Sequence, residues 1–155
     1  MDVTLYTDGA AKGNPGPGGY GIIIRYNKGN GETVEHEHAH GVAETTNNRM
    51  EMMAVIVGLE AIKMPCNVVV ITDSKYVVNA FNEGWLRSWK KNGWRTANNK
   101  PVKNLELWHR LIKATKCHNN VSFVWVQGHC GDELNERCDR LASDAAEAMR
   151  IGAKP

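Results

Sequence analysis

The stretch that most constrains this chain is Asn67–Thr72, which reads Asn-Val-Val-Val-Ile-Thr. An unbroken β-branched run of this kind is the mark of a strand buried on both faces, so its sheet needs cover on each side. The run ends in an acid, Asp73, before Ser74 opens a helix. Val3–Thr7 behaves alike, being rich in β-formers and ending at Asp8-Gly9. In α/β folds ligands bind beyond the C-terminal ends of strands, so two acids at such ends are a candidate site.

The other elements follow from periodicity and punctuation. Gly13–Gly19, interrupted by Pro15 and Pro17, is expected to be loop. Tyr20–Tyr26 reads as a second strand, Lys28-Gly29-Asn30-Gly31 as a hairpin turn, and Glu32–Gly41 alternates as a third strand. Thr45-Thr46-Asn47-Asn48 is a helix-start cluster, and the helix is expected over Arg49–Lys63, closed by Pro65. Asn82–Asn104 should be a short helix plus loop, with Pro101 in the first turn of a further helix reaching about Lys116. Val121–Val126 is a fifth strand and Leu134–Met149 a last helix. Three hairpin-spaced strands, then helix, strand, helices, strand and helix, predict an α/β fold. It is a five-stranded mixed sheet, first three strands antiparallel, flanked by helices. Residues 1–150 are expected to form one domain and 151–155 a frayed tail.

Composition excludes several classes. Hydrophobic residues at 42% and charged residues at 23% describe an ordinary globular protein. No apolar run approaches the roughly 20 residues of a membrane helix. Met1–Tyr6 lacks the basic patch and apolar core of a signal peptide, so a cytoplasmic location is expected. Cys66, Cys117, Cys130 and Cys138 form no C-x-x-C pair and are expected to be free thiols. The net charge of +2 conceals an asymmetry. Between Trp85 and Asn104 lie Arg87, Lys90, Lys91, Arg95, Lys100 and Lys103 with no acid, leaving 13 basic and 17 acidic residues elsewhere, a net of −4. A basic segment on an acidic body suggests one face for an anionic polymer.

Taken singly, the acids are ambiguous. Asp8 and Asp73 could each cap the turn or helix that follows, or together hold a hard cation such as Mg²⁺ or Mn²⁺ through oxygen ligands. Glu51 precedes Met52-Met53-Ala54-Val55-Ile56-Val57 and lies near the buried face of its helix. Charge avoids that position unless paired or metal-bound, although a first-turn Glu is also favoured by the helix dipole. Asp139, on the last helix, is on its own indistinguishable from a surface acid.

The motifs in order carry more than the residues singly. Thr7-Asp8-Gly9, Gly13-Asn14-Pro15-Gly16-Pro17-Gly18-Gly19-Tyr20-Gly21, Thr45-Thr46-Asn47-Asn48-Arg49-Met50-Glu51 and Thr72-Asp73-Ser74 resemble segments of bacterial ribonuclease HI, the type 1 ribonuclease H family. So do Trp85–Asn104, Gly128-His129 and Asn135-Glu136-Arg137-Cys138-Asp139. The resemblance spans nearly the whole chain. It implies a ribonuclease H-like fold and an endonuclease that hydrolyses the RNA strand of RNA–DNA hybrids, leaving 5′-phosphate and 3′-hydroxyl ends. By it, Asp8, Glu51, Asp73 and Asp139 match four carboxylates that hold two Mg²⁺ ions, with Mn²⁺ a substitute. His129 matches a loop histidine that assists proton movement or product release.

Substrate contacts are implied in the same way. Gly9, Ala10, Asn14, Asn47 and Lys75 match positions that read the RNA 2′-hydroxyl, and readout of that group brings little base preference. Asn48 matches a contact to the DNA strand and Thr46 one to a DNA phosphate. Trp85–Asn104 resembles a basic protrusion in which Lys90, Lys91 and Arg95 neutralise phosphates and Trp85 touches DNA, while Trp89 and Trp94 are mainly packing. Two positions depart from the pattern: Ala11 stands where many relatives carry cysteine, and Lys75 where they often carry glutamine. Lys75 replaces an amide hydrogen-bonder with a point charge. His36, His38 and His40 alternate along strand three and would share one face, either solvated or able to bind a transition metal. A monomer is expected. Integrases and resolvases share acids at strand ends but not this set of motifs, and a non-catalytic hybrid binder would gain nothing from four acids facing phosphates.

Overall fold

The computed structural model describes residues 1–128 and 132–152. Its sheet has five strands: β1 (Asp2–Ala11), β2 (Gly16–Asn27), β3 (Thr33–Thr45), β4 (Asn67–Thr72) and β5 (Asn120–Trp125). Their order is β3-β2-β1-β4-β5; β1, β2 and β3 are antiparallel neighbours, and β4 runs parallel to β1 and β5. The helices are α1 (Asn47–Ala61), α2 (Lys75–Asn82), α3 (Trp85–Lys91), α4 (Leu105–Lys116) and α5 (Glu133–Gly152). The mixed, helix-flanked sheet expected from the sequence is therefore the observed one.

The two faces of the sheet carry different cores. On one, Val3, Leu5, Ile22, Val68 and Val70 pack with α1, α2 and α4 around the fully buried Trp108. On the other, Ile23 and Tyr6 meet Leu134, Cys138 and Leu141 of α5. This second face is only partly covered, because α5 lies on β1, β2 and β3. Val69 of β4 and Val124 of β5 are consequently 37% and 44% exposed. The β-branched run was expected to be buried on both faces, and that expectation fails; it identifies the strand but not its cover.

Three boundaries differ instructively. Gly16–Gly19 are strand rather than loop, with only Lys12–Pro15 turning the chain, closed by Lys12 N–H donating to Pro17 O at 2.7 Å. Here the glycines serve close approach. A Cβ at Gly19 would stand 2.6 Å from Ala146 N, and one at Gly21 2.6 Å from Cys138 O. The backbone of α5 thus rests directly on β2. Pro101 does not open a helix. It bridges to Arg95 in a small hairpin closed by Val102 N–H to Trp94 O at 3.1 Å, and α4 starts after Asn104 in a left-handed conformation. The buried Val102 pins that hairpin. Finally, α5 continues to Gly152, past the expected end at Met149.

Buried His118 ties the α1–β4 connection. Its Nδ1 accepts from Cys66 N–H at 3.2 Å, which leaves the Nε2 hydrogen to be donated to Leu59 O at 3.0 Å. Cys66, Cys117 and Cys138 are free thiols, as expected; Cys130 lies outside the described residues. Gly21→Ala is expected to push α5 off the sheet and to cost about 1–3 kcal/mol, the usual penalty for overpacking. Urea unfolding of the two proteins checks this, and an unchanged midpoint would contradict the close packing of α5.

Candidate active site

Asp8 is not at the end of β1. The strand continues to Ala11 because Gly18–Gly21 of β2 remain paired with it. Pairing with β4, however, stops at Tyr6↔Ile71, and the same register carried onward brings Asp8 level with Asp73 just beyond β4. Both acids therefore flank the point where β1 and β4 separate. Gly9 lets the third acid in: a Cβ there would occupy the space of the Glu51 amide nitrogen and the Met50 carbonyl carbon. With only a hydrogen at Gly9, α1 lies against β1, and the Gly9 N–H donates both to Asp8 Oδ1 at 2.9 Å and to Glu51 Oε1. Thr46 caps α1 by accepting from Arg49 N–H at 3.3 Å, which sets Glu51 in the second turn.

Oxygens of Asp8, Glu51 and Asp73 lie within 4.8 Å of one another, and no other trio of histidine, cysteine or acid side chains among the described residues converges so closely. Asp139 of α5 borders the same cleft but stands outside that trio. The cleft continues for about 400 Å³ past Gly9, Ala10, Asn47, Asn48, Ser74 and Lys75.

Electrostatics at the trio are adverse. Burial pushes the Asp8 carboxyl up to about 7, Gly9 and Glu51 hydrogen bonds opposing and Asp73 adding to the rise. Glu51 is 5% exposed. Burial, then the nearby charges of Asp8 and Asp73, hold its carboxyl well above the usual range. Among the described residues no lysine or arginine forms an ion pair with any of the three. A buried carboxylate cluster without a basic partner is stabilised by protons or by a cation, and an all-oxygen donor set suits a hard divalent ion.

The remaining expected site residues fall into several groups. Gly9, Ala10, Asn47, Asn48 and Lys75 line the cleft with the acids. Asn14 sits in the β1–β2 turn, outside that lining, and the Thr46 hydroxyl is engaged as the α1 cap. Lys90, Lys91 and Arg95 are exposed on α3 and the hairpin after it. Trp85 is 37% exposed with its ring 6.1 Å from Trp89. Trp89 and Trp94 pack on the core, against Trp108 at 5.5 Å and His109 at 4.6 Å, which agrees with the packing role expected for them. His129 lies outside the described residues. His36 and His38 are exposed over a groove beside Met64, and His40 leans on Tyr20; the three rings do not converge as a ligand set. Tyr76 and Trp125, neither singled out in the sequence, and Asn135, named there only within its motif and given no role, also border or brace the cleft. Only the fold places them there.

A nuclease-like fold with acids clustered where two parallel strands part defines a class, and comparison with known proteins names the family. Residues 1–147 match the family model RNase H. The chain is 57% identical to the ribonuclease H of Lachnoclostridium phytofermentans over 154 residues, 97% of this chain and 96% of that one. It is 52% identical to the ribonuclease HI of Vibrio vulnificus, covering 94% and 89% of the two chains. Among solved structures it resembles a type 1 RNase H with the type 2 active-site motif, at a TM-score of 0.85 and 34% identity over 96% of this chain and 73% of that one. A ribonuclease H1 crystallised with an RNA/DNA hybrid superposes with a TM-score of 0.68 at 27% identity, covering 94% and 97%. The chain belongs to the ribonuclease H family and is a nuclease, a hydrolase by class.

The raised carboxyls have a stability consequence. Asp8 binds its proton more tightly in the folded metal-free protein than in the unfolded chain, so the stability contributed by that proton is present at acid pH and lost as pH rises through about 7. In chelator, the melting temperature is expected to fall between pH 5 and 8, and Asp8→Asn to flatten that fall and stabilise the protein at pH 8 by about 1–3 kcal/mol. Calorimetry across that range checks it. A wild-type profile that rises with pH would contradict the reading.

Proposed function

We propose that this protein is an endonuclease that hydrolyses the RNA strand of RNA–DNA hybrids by a two-metal-ion mechanism, leaving 5′-phosphate and 3′-hydroxyl ends. The observation that carries this is the convergence of Asp8, Glu51 and Asp73, with Asp139 at the rim, in a cleft lined by Asn47 and Asn48. Asp8, Glu51, Asp73 and Asp139 would hold Mg²⁺, which when bound would supply Lewis acidity for activating a water and stabilising the departing oxygen. The carboxylates of Asp8, Glu51 and Asp73 already converge to within 4.8 Å, carried by β1, α1 and the residue after β4.

Selection of a hybrid rests on the cleft wall. Gly9 and Ala10 present backbone, and Asn47 and Asn48 present amides, to sugars across a wide minor groove, where the 2′-hydroxyl distinguishes RNA. Lys90, Lys91 and Arg95 neutralise phosphates away from the reacting bond, with Trp85 against the DNA strand. Trp89 and Trp94 root that basic segment in the core, so it is presented as a fixed arm. His129 assists turnover without being indispensable.

A labelled RNA strand, offered alone, paired with RNA or paired with DNA, should be cut only in the hybrid and only when Mg²⁺ is present. Cutting of duplex DNA instead would overturn the assignment. Asp8→Asn should abolish cleavage while leaving hybrid affinity in chelator within about threefold, since it removes a metal ligand rather than a phosphate contact. Neutralising Lys90, Lys91 and Arg95 together should reduce the salt dependence of hybrid binding, lowering the log–log slope by about 2–3, with turnover at saturation unchanged. A loss of saturated turnover in that variant would count against a purely binding role.

A further inference from the structure

Lys75, at the start of α2, is not loose in solvent. Its Nζ stands over the ring of Trp125, 4.8 Å from the centroid. Trp125 is the last residue of β5, paired across to Thr72, and its indole N–H donates to the Asp73 carbonyl at 3.0 Å. Val126 N–H donates to Thr72 O at 3.0 Å beside it. The ring is thus fixed to the backbone of a cleft acid while remaining 41% exposed.

Helix electrostatics sharpen the contrast. Lys75 opens α2 directly after the Ser74 cap, and the first turn holds no acid. A cation there opposes the positive end of the helix dipole, so the position is not chosen for helix stability. Nor does the ammonium form an ion pair with the neighbouring carboxylates, although Lys75 lines the same cleft as Asp8, Glu51 and Asp73. The aromatic face offers it an alternative partner. A lysine side chain otherwise spreads over many rotamers, and holding it beforehand removes part of the ordering cost of binding.

We propose that Trp125 is a positioning residue that holds the Lys75 ammonium at the cleft edge, where it contacts a backbone phosphate of the bound strand. The inference deepens the proposed function and rests on hybrid being the ligand. Trp125 itself does not line the cleft, and it acts through Lys75. Lysine on its aromatic rest binds charge, so the contact it makes is salt-dependent.

The test is a double-mutant cycle on hybrid binding, read by fluorescence anisotropy in chelator so that no cleavage is needed. Lys75→Met and Trp125→Leu are each expected to weaken binding about three- to tenfold. The double variant should be no weaker than Lys75→Met, and Trp125→Phe should retain most of the affinity through its aromatic face. With Mg²⁺, the loss should appear in KM and leave kcat within about twofold. Additive losses would mean that Trp125 touches nucleic acid directly, and an unaffected Lys75→Met would mean there is no contact; either overturns the proposal. Wild-type protein that binds hybrid without cutting it would refute the nuclease mechanism while the cycle still decides this one.

Discussion

The cost of holding three carboxylates together in a poorly solvated place governs how this molecule is built. Asp8, Glu51 and Asp73 converge with no basic partner among the described residues, and burial already disfavours the charged state of Asp8 and Glu51. Such a cluster persists only if the elements carrying it cannot move apart. Two of the three sit where β1 and β4 part, and those strands are buttressed by the main core through Val3, Leu5, Val68 and Val70. The third rides on α1, whose buried Met52, Val55, Ile56 and Leu59 tie it to the same core. The repulsion is opposed by packing and relieved by a cation. A cluster that is uncomfortable when metal-free is therefore suited to binding one.

Close approach of backbones is the second constraint. Gly9 admits α1 to β1, and Gly19 and Gly21 admit α5 to β2. The first of these brings Glu51 to Asp8, and the second brings α5, and with it Asp139, over the sheet. A helix packed at an ordinary side-chain-to-side-chain separation would leave each acid several ångströms from where it stands. The glycines that look like loop punctuation in the sequence are, in the fold, the positions that determine the dimensions of the cleft.

That difference explains what could and could not be read from the residues. The mixed, helix-flanked sheet and the candidate acids were legible because hydrophobic periodicity and motif order are local properties, and several motifs in register add up, whereas the order of the strands in the sheet was not. The cover of β4 was not legible: Val-Val-Val-Ile describes a strand that packs well, and only the placement of α5 over β1–β3 decides that Val69 meets solvent. Nor was the extension of β2 back to Gly16, because a glycine in a strand and a glycine in a loop have the same letter and differ in their neighbours. Pro101 misled for a related reason. Its fixed φ suits a first helical turn, but the buried Val102 and the hairpin hydrogen bonds hold it elsewhere.

Trp125 is the clearest case of information carried by topology alone. In sequence it is one of several aromatics after a β-branched stretch, with nothing to set it apart from Phe123. Parallel pairing of β4 and β5 puts it opposite Thr72, so its indole N–H meets the Asp73 carbonyl and its face meets a lysine that starts the next helix. Three residues distant in the chain or different in kind are thereby coupled at the cleft edge. Glutamine in the lysine's place would have little use for an aromatic rest, having no charge to set over the ring. The placement of Lys75 and the exposure of Trp125 are thus two sides of one local solution, in which a point charge is made directional by the surface it lies on.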